Sequence, residues 1–227
     1  MSSTEQVSVG ALEALRAAEI PPERCGAERT ARLSEAERTL YVWILHRFSE
    51  GDTPDAATVH EAAGSLGLEP DQALATLAAE DLVHTDPSGR IVVAYPFSGR
   101  PTAHRVQIAG GRFVWAMCAI DALGIAPMLD LPIEVRSSDP ITGDEIQVQI
   151  AANAAAHWQP AEAVVLAGSA CAGPSFSGCC AVLNFFSSAA SAEQYLREHP
   201  DVRGQTISLP EALKAGQLVF GSILEDA

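Results

Sequence analysis

The sequence predicts an α+β protein with a winged-helix-like helical domain over residues 1–94 and a mixed α/β domain with antiparallel strands over residues 95–227. Apolar side chains recur at helical spacing between residues 9 and 82. A strand, turn and strand pattern follows over 83–93, and short apolar segments between turns continue beyond residue 104. A chain of 227 residues with 48% hydrophobic residues can bury a substantial core.

The N-terminal region is predicted to contain four helices, with proline or glycine at several of their boundaries. Ser34 and Glu37 form a capping box for the second helix, which ends at Gly51. The other predicted helices cover 9–18, begin at Thr53 or Asp55 and end at 64, and cover 70–82. The last three helices and the hairpin that follows them are typical of a winged helix.

The net charge and its distribution limit the kinds of binding partner that the chain is expected to have. The net charge is −15, and the predicted helix over 70–82 carries Asp71, Glu80 and Asp81 but no Arg or Lys. Because DNA binding requires basic groups at the phosphates, we expect no nucleic-acid partner and a structural or lid role for this domain.

The chain also shows no sign of export or membrane insertion. Its first residues lack a signal-peptide pattern, and no segment approaches the roughly 18 apolar residues of a membrane span. Five cysteines at irregular spacing predict reduced thiols rather than a disulfide framework. We therefore expect a cytoplasmic protein without membrane contact.

The C-terminal region is predicted to alternate strands and helices. A strand over 105–108 turns at Gly110 and Gly111, and Phe113 begins a return that passes into a helix over 116–123. Further strands are predicted over 133–136, 145–150, 163–166 and 180–186, with a turn at 140–143. A last helix is predicted over 192–198, capped by Ser191.

Cys118 and Asp121 are the first pair of residues that could carry chemistry. They stand three residues apart on a predicted helix, so they share a face, and a carboxylate there can accept the proton of the thiol. Apolar neighbours would partly desolvate Asp121, which would then keep its proton to higher pH, as a general acid requires. The alternative is a small buried Cys beside a surface charge.

The sequence pattern alone does not show which other cysteine forms a site with Cys118. Cys179 and Cys180 are adjacent in a strand-like run and point to opposite faces, so only one of them is expected at a site. The spacing of the cysteines does not match a structural zinc site. Cys25 and Cys171 lie in predicted loops, where we assign them no role.

At these residues the chain resembles the organomercurial (alkylmercury) lyases. The similarity covers the helical domain and its hairpin, 95–106, 111–121, the 140–143 turn and 180–186. In that family a Cys, four residues and Phe-Phe mark the second thiol, and counting back from Phe185 and Phe186 selects Cys180, with Cys179 as the second choice. The resemblance implies that Cys118 and Cys180 bind the metal and that Asp121 carries the proton, with Asp121 as a further ligand.

The resemblance also implies an activity. A family member cleaves the carbon–mercury bond by protonolysis, releases a hydrocarbon and Hg(II), needs external thiols but no organic cofactor, and can pass mercury to a mercuric reductase. Met117 and Asp139 depart from residues common in the family, a Trp and a Cys, and leave the substrate range open. The alternatives are a non-enzymatic thiol protein that binds or senses soft metals, and a related enzyme for another organometal or organometalloid.

Overall fold

The computed structural model describes residues 3–152, 154–169 and 180–224, so Cys171 and Cys179 lie outside the described residues. The helices are α1 (Ser3–Ala17), α2 (Glu35–Ser49), α3 (Ala56–Ser65), α4 (Pro70–Ala79), α5 (Ala119–Leu129), α6 (Ala189–Glu198) and α7 (Leu209–Phe220). The strands are β1 (Val83–Thr85), β2 (Ile91–Ala94), β3 (Phe97–Ser98), β4 (His104–Ile108), β5 (Phe113–Ala116), β6 (Ile133–Ser138), β7 (Glu145–Ile150), β8 (Ala156–Gln159), β9 (Val164–Ser169), β10 (Phe185–Phe186) and β11 (Arg203–Ser208). The predicted α+β class is confirmed.

Two antiparallel sheets organise the described residues. The larger sheet has the order β1-β2-β3-β5-β4-β6-β7-β8, and the smaller has the order β10-β9-β11. The hairpin β1–β2 continues through β3 into the strands of the C-terminal region, because Ala94 pairs with Phe97 and Phe97 pairs with Ala116. One sheet therefore joins the two predicted domains, and the division at residues 94 and 95 stays a prediction.

The N-terminal helices occur in the predicted order, although α1 begins at Ser3 rather than at 9 and α4 ends at Ala79 rather than at 82. Ser34 and Glu37 form the predicted capping box of α2, and Asp55 caps α3 through the N–H of Thr58. Two short 3₁₀ turns, Pro22–Arg24 and Gly26–Thr30, connect α1 to α2. The helices α2 to α4 and the hairpin occur in the expected order, while the winged-helix interpretation itself stays a prediction.

Helix α5 lies at the centre of the core. Its residues from Ala119 to Ala126 are all buried, and it packs against α7 along one side. A Cβ on Gly216 would stand 2.9 Å from the backbone N of Gly124, so the two glycines allow the helix backbones to meet closely. Helix α1 also packs against α7 and so connects the N-terminal region to the same core.

The start of α5 differs from the prediction. The helix begins at Ala119 rather than at 116, because residues 113–116 pair with β4 as strand β5. Cys118 has extended backbone angles (φ −151°, ψ 179°) and is the N-cap residue rather than a residue inside the helix. The helix also runs to Leu129, through Pro127, rather than ending at the predicted residue 123.

The end of the chain differs more. The predicted strand over 180–186 is reduced to β10, and Cys180 lies in a turn before it. The sequence analysis missed β8, β11 and α7, so the helix at 192–198 is not the last one; it begins earlier, as α6, with Ser188 as its cap. None of the described helices is both long enough and apolar enough to cross a membrane.

Candidate active site

The structure brings Cys118, Asp121 and Cys180 together. One sulfur or carboxylate oxygen from each residue lies within 4.8 Å of the others. The three residues are buried, with exposed fractions of 1%, 5% and 7%. Two thiols and one carboxyl group therefore face each other away from bulk water.

Cys118 is held where strand β5 gives way to helix α5. The N–H of Met117 donates to the carbonyl of Pro96 over 3.0 Å, which fixes the chain just before the thiol. The N–H of Asp121 points at the sulfur of Cys118 over 3.4 Å. A thiolate at this position is stabilised by the backbone N–H and by the positive end of the helix dipole.

Cys180 reaches the same place from the opposite direction. Its sulfur lies 3.7 Å from Oδ2 of Asp121 and 3.6 Å from the hydroxyl oxygen of Tyr95. The turn that carries Cys180 is tied to α5, since the N–H of Ala119 donates to the carbonyl of Leu183 over 2.8 Å. Main-chain contacts thus set the spacing of the two thiols.

Burial controls the protonation of this cluster. It raises the pKa of the Cys118 thiol to about 12, against a smaller lowering by the hydrogen bond with Cys180. Burial also raises the pKa of Asp121 to about 6, although the hydrogen bond with Cys118 and the charge of Arg29 oppose the rise. Asp121 can therefore both accept and return a proton near neutral pH.

Tyr95 and Arg29 join the site without having been identified in the sequence analysis. The guanidinium group of Arg29 lies 4.9 Å from the centre of the Tyr95 ring and donates to the carbonyls of Arg24 and Asp81 over 3.2 Å each. Tyr95 begins the stretch 95–106 that carries part of the resemblance, and Arg29 lies between two predicted helices. No local pattern marks either residue, because only the tertiary fold brings them to the thiols.

The cavity at the site is small. The cavity at the thiols measures about 20 Å³, close to the space that one water molecule needs. Its walls come from Ile20, Arg24, Arg29, Tyr95, Cys118, Ile120, Asp121, Cys180, Leu183 and Val219. Ile20, Arg24 and Arg29 come from the N-terminal region, which therefore helps to enclose the thiols.

The other residues singled out in the sequence lie elsewhere. Cys25 is half-buried, and its sulfur lies 3.8 Å from the carbonyl of Pro21, outside the three-residue cluster. Asp139 is buried, with 2% of its surface exposed, and accepts hydrogen bonds from Ser187 and Ser191. It joins the turn after β6 to the start of α6 and does not line the cavity.

Two buried thiols and a carboxyl group at the N-terminus of a core helix define a protein that can bind a thiophilic metal and move a proton beside it. The family model described as alkylmercury lyase matches residues 97–221, more than half of the chain. The chain belongs to the alkylmercury lyase family.

Individual relatives agree with this assignment. The chain is 27% identical over 179 residues to an alkylmercury lyase of Staphylococcus epidermidis, covering 78% of this chain and 80% of the relative. It is 27% identical over 192 residues to one of Pseudomonas putida, covering 83% and 86%. The fold is similar to the crystal structure of the mercury-bound form of MerB2, with a TM-score of 0.72, 22% identity and coverage of 93% and 99%.

Proposed function

We propose that the protein cleaves the carbon–mercury bond of organomercurials by protonolysis, with Cys118 and Cys180 as mercury ligands and Asp121 as the proton carrier. The observation that supports this function is the buried cluster of two sulfurs and one carboxyl oxygen within 4.8 Å. Soft, thiophilic metals favour thiolate ligands, and a carboxyl group in contact with both the thiols and the metal can supply the proton.

The chemistry needs only these groups and a thiol that delivers the substrate. The first cysteine sulfur displaces the carrier thiolate from mercury, and the carrier leaves with the proton of that cysteine. The second cysteine gives its proton to Asp121 as its sulfur binds mercury. Asp121 then protonates the carbon, the electron pair of the carbon–mercury bond forms the new C–H bond, and the hydrocarbon leaves. Hg(II) stays on the two sulfurs, opposite an ionised Asp121.

Product release then requires thiols from outside the chain. Two small thiols remove Hg(II) and return a proton to each cysteine, or a mercuric reductase accepts the ion directly. Cys25, Cys118 and Cys180 carry no disulfide in the structure. This state suits a reducing, cytoplasmic setting, where such thiols are abundant. We assign no organic cofactor to the reaction, because cysteine and carboxyl groups supply each step.

The test is headspace gas chromatography of reduced protein incubated with phenylmercuric acetate and excess cysteine, because benzene forms only by protonolysis. We expect multiple turnovers from the unaltered chain. Asp121→Asn should bind mercury without releasing benzene, and Cys118→Ala should lose both binding and turnover. Mercury bound near one equivalent without benzene would contradict the lyase and favour a metal-binding protein.

A matched pair of variants tests the second thiol. Cys180→Ala should abolish turnover, while Cys179→Ala should keep most of it. The opposite result would assign the second mercury ligand to Cys179.

A further inference from the structure

Tyr95 places a hydroxyl group beside one of the two reacting sulfurs. Its oxygen lies 3.6 Å from the sulfur of Cys180, and its side chain is 2% exposed. Among the described residues that line the cavity, Tyr95 is the one that carries a hydroxyl group. The hydroxyl group is therefore placed to contact one of the two sulfurs.

The position of this hydroxyl group is fixed from several sides. The N–H of Tyr95 donates to the carbonyl of Leu82 over 3.0 Å, and the Tyr95 carbonyl accepts from the hydroxyl of Tyr41 over 2.7 Å. Arg29 stacks over the ring and is itself held by two main-chain carbonyls. These contacts hold the backbone and the ring of Tyr95 in place and so keep its hydroxyl group beside the sulfur.

The hydrogen bonds of Cys180 change when its proton leaves. The sulfur faces two oxygens, Oδ2 of Asp121 and the hydroxyl of Tyr95, and a thiol has one proton to donate. Once that proton passes to Asp121, or once mercury replaces it, the sulfur can only accept. The Tyr95 hydroxyl still holds its own proton, because a phenol ionises at a pKa of about 10, and it becomes the donor to the sulfur.

We propose that Tyr95 is a further catalytic residue, which donates a hydrogen bond to the Cys180 sulfur while that sulfur binds mercury. This inference rests on the proposed function through the role of Cys180 as a ligand. The donor stabilises the Cys180 thiolate as it binds mercury. It also withdraws electron density from the sulfur, as hydrogen bonds to metal ligands do. Cys118 receives a different donor, the backbone N–H of Asp121, so the two sulfurs differ in their hydrogen bonding.

The test compares Tyr95→Phe with Tyr41→Phe, both loaded with one equivalent of mercuric chloride. Tyr95→Phe keeps the ring beneath Arg29 and removes only the donor. Tyr41→Phe removes a buried hydroxyl that bonds the Tyr95 carbonyl without contacting sulfur. The readout is the near-ultraviolet thiolate-to-mercury charge-transfer absorption. Its energy falls when the sulfur lone pairs lose a hydrogen bond.

We expect this absorption to move to longer wavelength in Tyr95→Phe and to stay in place in Tyr41→Phe, even though both variants lose stability. In stopped-flow mixing with phenylmercuric acetate, capture by Tyr95→Phe should slow about tenfold, the effect of losing one hydrogen bond to a charged group. An unmoved band together with unchanged capture would overturn the role of Tyr95, and benzene release by the unaltered chain would still support the lyase. The absence of a two-thiolate band in the unaltered chain would overturn both proposals.

Discussion

Asp121 illustrates how a single residue can serve chemistry at the expense of stability. Its pKa of about 6 lies above the usual value for aspartate near 4, because burial disfavours the charged carboxylate. The folded state therefore binds this proton more tightly than the unfolded state does. The free energy of unfolding falls as the pH rises through this interval and stays low above it.

Replacing Asp121 by Asn should make the metal-free protein more stable at pH 8. The gain should be roughly 2 kcal/mol and should shrink towards pH 4, because an amide carries no charge to bury. Urea unfolding of the reduced protein between pH 5 and 8 measures the difference. Parallel stability profiles for the two proteins would contradict the raised pKa.

Asp139 is a buried carboxylate whose pKa is shifted in the opposite direction, below its usual value. Burial raises its pKa, but hydrogen bonds from the N–H groups of Ser187 and Ile141 and from two serine hydroxyls outweigh this and hold the pKa below its usual value. Its contribution to stability is present above the unfolded pKa, near 4, and is lost as the pH falls through the folded value.

We expect Asp139→Asn to lower the free energy of unfolding by about 2 kcal/mol at pH 7, because an amide presents its own N–H groups to these donors. Asp144→Asn is the matched control, since Asp144 lies in the same turn but is exposed and bonds Thr142. Thermal unfolding in parallel measures both variants. Equal small losses would show that the Asp139 hydrogen bonds contribute little.

At the scale of elements, the contact of α5 with α7 positions the N-terminus that carries Cys118. A Cβ on Gly216 would stand 2.9 Å from the N of Gly124 and 3.1 Å from the carbonyl oxygen of Ile120. Backbone atoms cannot move aside as a flexible side chain can, so the added methyl group would push the helices apart.

Gly216→Ala should therefore destabilise the protein by about 1 to 3 kcal/mol and slow mercury capture, because α5 carries one thiol and the carboxyl group. Gly64→Ala provides the control. No atom lies within 4 Å of a Cβ at Gly64 in α3, and alanine should stabilise that helix by about 0.5 kcal/mol. Unfolding curves for the two variants measure their stabilities. Equal effects would contradict the close contact between α5 and α7.

Local signals account for the elements that the sequence predicts well. The capping box of Ser34 and Glu37 identified α2, and the same kind of box at Ser208 and Glu211 starts α7, which was missed. Two residues three apart in sequence can either share one face of a helix or form an N-cap contact at its start. The spacing of Cys118 and Asp121 therefore predicted their proximity but not the extended backbone of Cys118.

The remaining parts of the site depend on the tertiary fold. The resemblance selected Cys180. Its position in a turn and its contacts with Asp121 and Tyr95 depend on the hydrogen bond between Ala119 and Leu183. Arg29 arrives from the 3₁₀ turn after α1, more than 80 residues before Cys118. Periodicity and capping report only on near neighbours along the chain, so they carry no information about such contacts.

At the scale of the whole molecule, the N-terminal region covers a site built by the C-terminal region. Ile20, Arg24 and Arg29 form part of the wall of a cavity of about 20 Å³. The cover of the site, residues 20–29, is tied to the rest of the N-terminal region by an ion pair of 2.8 Å between Arg24 and Asp81, and His84 contacts the same carboxylate over 2.6 Å. We expect substrate entry to depend on how often this tie opens.

Replacing Arg24 by Gln should open the cover more often and favour bulky substrates. A partly exposed ion pair is worth up to about 1 kcal/mol, so its loss should raise the open population roughly fivefold. Capture of phenylmercury should gain more than capture of methylmercury, because the smaller molecule needs a smaller opening. The measured quantity is the ratio of the two kcat/KM values. Arg32→Gln is the control, since Arg32 pairs with Glu80 nearby at 3.4 Å but does not line the cavity. The ratio should rise in the first variant and stay constant in the second, and an equal ratio in both would mean that substrates reach the thiols by another route.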